Sequence, residues 1–179
     1  MARRNIGVAI AVPQPFGKDL QSWRRRLGDP AAMRIPPHVT LLPPTAVPSE
    51  RLPVVEEHLR RIAVEEAPFT ITLRGTGTFR PVSPVTFVQL AEGISRCERL
   101  EARVRSGPLF RQTKFNYHPH VTLAHDVDAD ALERGFVELK DYEATFDVRG
   151  FTLFEEGTDK VWRPQRDFPF GQQAGSPGE

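Results

Sequence analysis

Five residues occur twice in this chain, as Pro37-His38-Val39-Thr40-Leu41 and, 82 positions later, as Pro119-His120-Val121-Thr122-Leu123. Imidazole titrates near neutral pH and moves protons in either direction. A hydroxyl two residues further on can donate a hydrogen bond to an anionic oxygen. If both segments are strands, side chains alternate, so His38 and Thr40 share one face while Val39 and Leu41 share the other, and His120 and Thr122 behave alike. Two imidazoles and two hydroxyls turned toward one cleft suit acid–base chemistry at a phosphodiester without a metal. A neutral imidazole takes a proton from the attacking oxygen, and a protonated one delivers a proton to the leaving oxygen. The threonines hold the non-bridging oxygens while charge grows in the transition state. A repeat kept only for packing would need the valine and leucine positions alone; here the polar positions recur as well.

The elements that must position these residues are short and sharply bounded, because 17 prolines and 13 glycines punctuate the chain. Asn5 to Val12 reads as a strand. Lys18 to Leu27 reads as a helix with Leu20, Trp23 and Leu27 on its packed face, Arg24, Arg25 and Arg26 on a solvated one, and Gly28 just past its end. His38 to Leu42 is a strand bracketed by Pro36-Pro37 and Pro43-Pro44, after which Ser49 caps a helix striped by Leu52, Val55, Leu59 and Ile62. Phe69 to Phe79 and Val85 to Leu90 read as strands. The second half repeats that order: a helix from Ile94 to Arg105, a strand from His120 to His125, a helix from Asp130 to Lys140, and strands at Glu143 to Phe154 and around Val161. The pattern predicts an α+β, bilobal fold whose two lobes are related by an approximate two-fold, with antiparallel-rich sheets flanked by helices and a central active-site cleft. Residues 1–170 then form one domain of two similar lobes, and the Gly-, Gln-, Ser- and Pro-containing stretch 171–179 is expected to be a disordered tail.

Composition narrows the partners. Lys and Arg number 24 against 23 Asp and Glu, a net charge of +1, so no global field draws the chain to nucleic acid or an anionic membrane. Any polyanion must be gripped locally. Cys97 is the single cysteine and can form no internal disulfide, which fits a reducing compartment. Arg3, Arg4 and the apolar run Ile6 to Val12 look like the start of an export signal, but Pro13 ends the run too soon, and no stretch is long enough to span a bilayer. The expectation is a cytoplasmic protein with no membrane partner.

The two motifs, half a chain apart, resemble those of the two-histidine phosphoesterase superfamily, and within it bacterial 2′-5′ RNA ligases, also called RNA 2′,3′-cyclic phosphodiesterases. The similarity continues through Leu73 to Leu90, with Gly77 and Phe79, and through Val148 to Phe154 with Trp162, leaving out only the last ten or so residues. The resemblance implies a bilobal fold with a central cleft, no metal or other cofactor, and hydrolysis of a terminal 2′,3′-cyclic phosphate to a 2′-phosphate, with reverse, ATP-independent 2′-5′ joining. It makes His38 and His120 the acid–base pair and gives Thr40 and Thr122 the phosphate; the near-symmetric motifs leave both assignments of base and acid open, and we favour His120 activating water and His38 protonating the departing 3′ oxygen. The chain departs from the family at His125, where relatives commonly carry arginine, and at Leu42-Pro43-Pro44. On a regular strand His125 falls on the face opposite His120 and is read as a packed, non-catalytic histidine.

Other residues carry alternatives. Arg103, Arg105, Arg111 and Lys114, interleaved with Phe110, Phe115 and Tyr117, form either a rim for single-stranded RNA, phosphates on cations and bases on rings, or an ordinary helix end and loop. Tyr117 and His118 are candidates for touching substrate at that rim, and Arg34 is the matching candidate before the first motif. His118, His120 and His38 could in principle ligate zinc, but Pro119 interrupts the pair and no acidic partner has a ligand spacing; no metal site is expected. Cys97 shares a helix face with Ile94, Leu100 and Val104 and reads as a packed thiol. No phosphate-cradling glycine loop is present, so no bound ATP is expected. Three functions remain open: a phosphodiesterase for RNA ends; the same chemistry on a small cyclic nucleotide, ADP-ribose cyclic phosphate or 2′-5′ oligoadenylate; and a non-catalytic RNA- or nucleotide-binding domain. Nothing requires an obligate protein partner, so a monomer is expected.

Overall fold

The apolar run after Arg4 forms the strand β1 (Arg3–Ala11), buried from Ile6 to Ile10, in a computed structural model that describes residues 2–171. From position 172 onward the expected tail lies outside the described residues. The chain continues through α1 (Phe16–Arg26), β2 (His38–Pro48), α2 (Leu52–Glu65), β3 (Phe69–Thr78), β4 (Val85–Glu92), α3 (Ile94–Val104), β5 (His120–His125), α4 (Ala129–Glu138), β6 (Glu143–Val148), β7 (Gly150–Glu156) and β8 (Trp162–Pro169). The α+β expectation holds. All eight strands join one antiparallel sheet in the order β6-β3-β4-β5-β2-β1-β7-β8.

That order reads the same outward in both directions from the junction of β5 and β2. Next come β4 and β1, then β3 and β7, then β6 and β8. The segments β1-α1-β2-α2 and β4-α3-β5-α4 are therefore counterparts, and the half of the sheet around β2 is completed by the last two strands of the domain. The helices interlock the halves: α1 packs on β5 and α3 on β2. Buried Glu66, just after α2, accepts from Arg103 of α3 at 3.0 Å, with Arg96 and Arg99 beside it. The core between sheet and helices is continuous and includes Val39, Val121, Leu123, Leu59 and Leu100, all fully buried.

Three local expectations are corrected. Ser49 does not cap α2: its hydroxyl donates to the Ala2 carbonyl, and Ser49–Arg51 make a 3-10 turn ahead of the helix. The strand β2 does not stop at Leu42 but runs through Pro43 and Pro44, because the register against β1 slips between the pairs Val8↔Leu42 and Ile6↔Thr45, and a proline without an N–H is tolerated where the ladder is interrupted. The expected strand from Glu143 to Phe154 is two strands, broken at Arg149, which lie on opposite halves of the sheet. No helix among the described residues is long and apolar enough to cross a membrane.

The packed stripe of α2 offers a check on this core. Leu59→Ala should cost about 2–5 kcal/mol, the range for truncating a buried leucine, whereas Val54→Ala, at an exposed position on the same helix, should stay within about 0.5 kcal/mol. Urea denaturation of both variants measures the difference; equal losses would contradict the orientation of α2.

Candidate active site

The motif strands β2 and β5 run antiparallel, with Val39 opposite Val121. Carried one residue either way, that register sets His38 against Thr122 and Thr40 against His120, all on the face away from the buried valines. The alternation expected from sequence is observed, since Val39, Leu41, Val121 and Leu123 are buried while His38, Thr40, His120 and Thr122 are only partly so. Each imidazole is tethered in the same way. His38 Nδ1 lies 2.8 Å from the Pro36 carbonyl, and His120 Nδ1 lies 2.7 Å from the His118 carbonyl. A carbonyl can only accept, so Nδ1 carries the proton in both rings. Each Nε2 is then the atom left to take or give a proton.

Beyond the motifs the strands are bulged at matching places. Against β1, Thr40 pairs with Ala9 and Leu42 with Val8, leaving Leu41 extra; against β4, Thr122 pairs with Phe87 and Ala124 with Thr86, leaving Leu123 extra. One extra residue shifts the alternation by one. His125 therefore returns to the cleft face instead of the opposite one, a correction to the regular-strand expectation. Its side chain is 48% exposed and is not packed. It lines a cavity of about 350 Å³ together with His38, Thr40 and Thr122.

The cavity lies on the His38 side, and the pseudo-symmetry explains why. The residue opposite Thr40 is Ala9, but the residue opposite Thr122 is Phe87. On the His120 side Phe87 and Phe79 close in, with ring centroids 5.1 and 4.9 Å from the imidazole. Gly77 admits the Phe87 ring, which would lie 2.5 Å from a Cβ at that position. On the His38 side the small Ala9 leaves open space walled by Ile35, Phe154 and Trp162. A larger groove between α2 and β8 is lined by Glu56, Glu57, Arg60 and Arg166, and these two carboxylates are held by arginines, Glu57 by Arg60 and Arg61 and Glu56 by Arg166.

Arg24 also lines the cavity. Read from sequence as part of a solvated face, it is instead only 6% exposed, because positions 20, 24 and 27 fall on one side of α1 and this side is packed. Its Nε donates to Asp29 Oδ2 at 2.7 Å. The expected rim fares differently. Arg34, Lys114, Phe115 and His118 are exposed but do not line the cavity, and Arg111 reaches the Thr45 hydroxyl at 3.3 Å. His118 lies edge-on to Phe79 and Phe87. The Tyr117 hydroxyl donates to the Thr40 carbonyl at 2.7 Å and its ring packs on the core, so it braces the first motif instead of facing a ligand. Arg103 and Arg105 are committed to Glu65, Glu66 and Glu101. Cys97 is fully buried and its thiol is pushed up to about 12 by burial, which suits packing and not nucleophilic attack. Among the described residues no group of three or more His, Cys, Asp or Glu is placed to hold a metal ion.

Electrostatics follow from this enclosure. Burial pushes the His38 imidazolium down from its ordinary 6.5 to about 4, with the positive charges of Arg24 and His120 contributing. Burial also lowers His120, and His118 beside it adds to the effect. Both rings are neutral in the empty cleft at pH 7. A folded-state value below the unfolded one means that, as pH falls, the unfolded chain takes the proton first, so stability is lost as pH falls from about 6.5 toward 4. In urea denaturation across that window, His38→Gln and His120→Gln should each lose less stability than the wild type. A decline as steep as wild type in both would refute the buried neutral pair.

A family model described as the 2′-5′ RNA ligase superfamily matches residues 12–160. The chain is 33% identical over 171 residues to "Putative phosphoesterase BH1439" of Halalkalibacterium halodurans, covering 94% of this chain and 99% of that protein. It is 30% identical over 173 residues to "Putative phosphoesterase Bcer98_0945" of Bacillus cytotoxicus, covering 93% and 97%. Among solved structures, E. coli LigT complexed with 3′-AMP and with NADP+ superimpose with TM-scores of 0.73 at 21% and 22% identity, covering 96% of this chain and 100% of theirs, a likeness of fold. With the family model spanning most of its length and a histidine–threonine pair on each central strand, this chain belongs to the 2′-5′ RNA ligase superfamily of two-histidine phosphoesterases.

Proposed function

We propose that the protein is a metal-independent phosphodiesterase that opens RNA 2′,3′-cyclic phosphate ends to 2′-phosphates. The observation that carries the reading is the matched tethering of His38 and His120, each held through Nδ1 with Nε2 free and each in register with a threonine of the other strand. A general base and a general acid flanking one phosphate require this arrangement.

The unequal sides of the cleft support a division of labour. The departing 3′ oxygen stays attached to a nucleoside, which needs room, and the room is on the His38 side beside Ala9, Ile35 and Trp162. In-line attack places the water opposite, at His120, where Phe79 and Phe87 leave no space for a nucleoside. His120 Nε2 takes a proton from water as its oxygen bonds to phosphorus. The phosphorus–O3′ bond breaks, and His38 Nε2 delivers a proton to O3′. Thr40 and Thr122 hold the non-bridging oxygens. The anionic phosphate draws the protonated form of His38 back into the pH range of the reaction, and the nearby positive charge of Arg24 makes it a stronger acid. With a 5′ hydroxyl in place of water as the attacking oxygen, the same steps open the cyclic phosphate into a 2′-5′ linkage without ATP: the new P–O5′ bond forms, the P–O3′ bond breaks, and O3′ takes the proton from His38.

The cavity volume falls in the range of small-ligand sites, about 300–1,000 Å³, and Arg34, Arg111, Lys114 and Phe115 stand outside it. One nucleotide enters, and these residues are left to meet the remainder of an RNA. LigT, of the same fold, has been crystallised with 3′-AMP. This size favours, as the second reading, the same chemistry on a small cyclic nucleotide. We further propose that the protein works in the cytoplasm as a monomer.

Incubation in EDTA with an RNA oligonucleotide ending in 2′,3′-cyclic phosphate, and with cyclic mononucleotides, tests both readings. Formation of 2′-phosphate ends is expected, and persistence of every cyclic end would sink the enzyme reading. His38→Ala and His120→Ala should each lose about 10²-fold or more in kcat, as removal of a general acid or base demands. The rate should trace a bell against pH, and a monotonic profile would contradict the paired mechanism.

A further inference from the structure

Arg24 is the single Lys or Arg among the residues lining the cavity, and its attachment is incomplete in an informative way. Only Nε is engaged, by Asp29 Oδ2. Among the described residues neither Nη atom has a hydrogen-bond partner, although the side chain is 7% exposed. Nor are they sealed in the interior: the fully buried polar atoms left without a partner are Arg96 Nε and the Tyr142 hydroxyl. Arg24 has little accessible surface and lines the cavity, so its Nη donors, neither paired nor sealed, are available to a group bound there.

Asp29 is held more completely. Its Oδ1 accepts from the Ala31 N–H at 2.8 Å, and its Oδ2 accepts from the His125 N–H at 3.0 Å as well as from Arg24. The carboxylate thus locks the base of the guanidinium to the loop after α1 and to the end of β5. A pair that served only to staple α1 to this loop would be expected to match fork to fork, two N–H groups on two oxygens. Here Oδ1 is spent on backbone and the two Nη groups are left over. The cleft is otherwise short of positive charge, since the two imidazoles are neutral when it is empty and the threonines offer only dipoles.

We infer that Arg24, held by Asp29, is the phosphate-binding cation of this cleft, its Nη groups donating to the non-bridging oxygens of the substrate phosphate. The inference rests on the proposed phosphodiesterase reading for its role in turnover, but binding of an anion stands apart from that reading. Asp29 is a positioning residue. It balances the buried charge, so that the cation is in place before substrate arrives, and it aims the guanidinium by occupying Nε.

The test compares wild type, Arg24→Lys, and Arg24→Gln combined with Asp29→Asn, the last removing both charges so that no buried carboxylate is stranded. Thermal melts confirm folding, calorimetry measures affinity for inorganic phosphate, and kcat/KM is measured on a cyclic mononucleotide. The double variant should fold, bind phosphate at least about tenfold more weakly, and lose about 10²-fold or more in kcat/KM, the scale for removing a preorganised donor to a developing oxyanion. Arg24→Lys should fall between the two, because an ammonium cannot bridge Asp29 and phosphate as a guanidinium fork does. If the double variant does not fold, a folded Arg24→Lys with wild-type phosphate affinity and kcat/KM overturns the inference. A folded double variant with wild-type affinity and turnover overturns it too, as does a wild type that binds no phosphate. A wild type that hydrolyses no cyclic phosphate, yet binds inorganic phosphate through Arg24, leaves the inference standing and removes the proposed function.

Discussion

Val39 against Val121 is the contact on which the site depends. Both side chains are fully buried, and each is flanked in sequence by a histidine and a threonine. On an antiparallel pair, a slip of one residue would turn the valines outward and the imidazoles into the core, at the cost of both the apolar burial and the solvation of the rings. Hydrophobic burial on one face thus sets the positions of four polar groups on the other. The carbonyls of Pro36 and His118 add the remaining constraint, fixing which nitrogen of each ring is free.

The frame is nearly symmetric, but its contents are not. The same position on the neighbouring strand is Ala9 beside one motif and Phe87 beside the other, and that single difference in volume puts the cavity on the His38 side. Gly77 belongs to this asymmetry, since without it the Phe87 ring could not lie where it does. Charge is unequal as well. The Arg24–Asp29 pair is buried, and the charge of Arg24, which lines the cavity, is felt at His38 more strongly than an exposed cation's would be.

Much of this was legible in the sequence. The duplicated motif showed the four polar residues and their common face because strand alternation is a local rule, and the stripes of α2 and of α3 from Cys97 to Val104 gave their packed sides for the same reason, whereas Ile94, expected on that face of α3, is exposed at the helix start. What was not legible depended on partners far along the chain. The bulges at Leu41 and Leu123 arise from the register against β1 and β4, so the return of His125 to the cleft could not be read from its spacing to His120. Arg24 looked like one of three solvated arginines; only its spacing from Leu20 and Leu27 hinted otherwise, and the carboxylate that balances it lies past the end of the helix. Tyr117 read as a rim residue because its partner, the Thr40 carbonyl, belongs to the other half of the fold. Phe154 and Trp162 reach the cavity only because β7 pairs with β1.

That last pairing has a consequence for how the molecule comes into being. The strand β1 is flanked on one side by β2 and on the other by β7, a neighbour separated from it by most of the chain. Contacts of such long sequence separation form late, since the entropy of closing the intervening loop must be met before they repay it. A chain emerging from the ribosome displays both histidine motifs well before the hairpin of β7 and β8 exists. The two histidine motifs are thus made first and the Phe154 and Trp162 wall of the cavity last, so the enclosed cavity exists only once the chain has been made through β8.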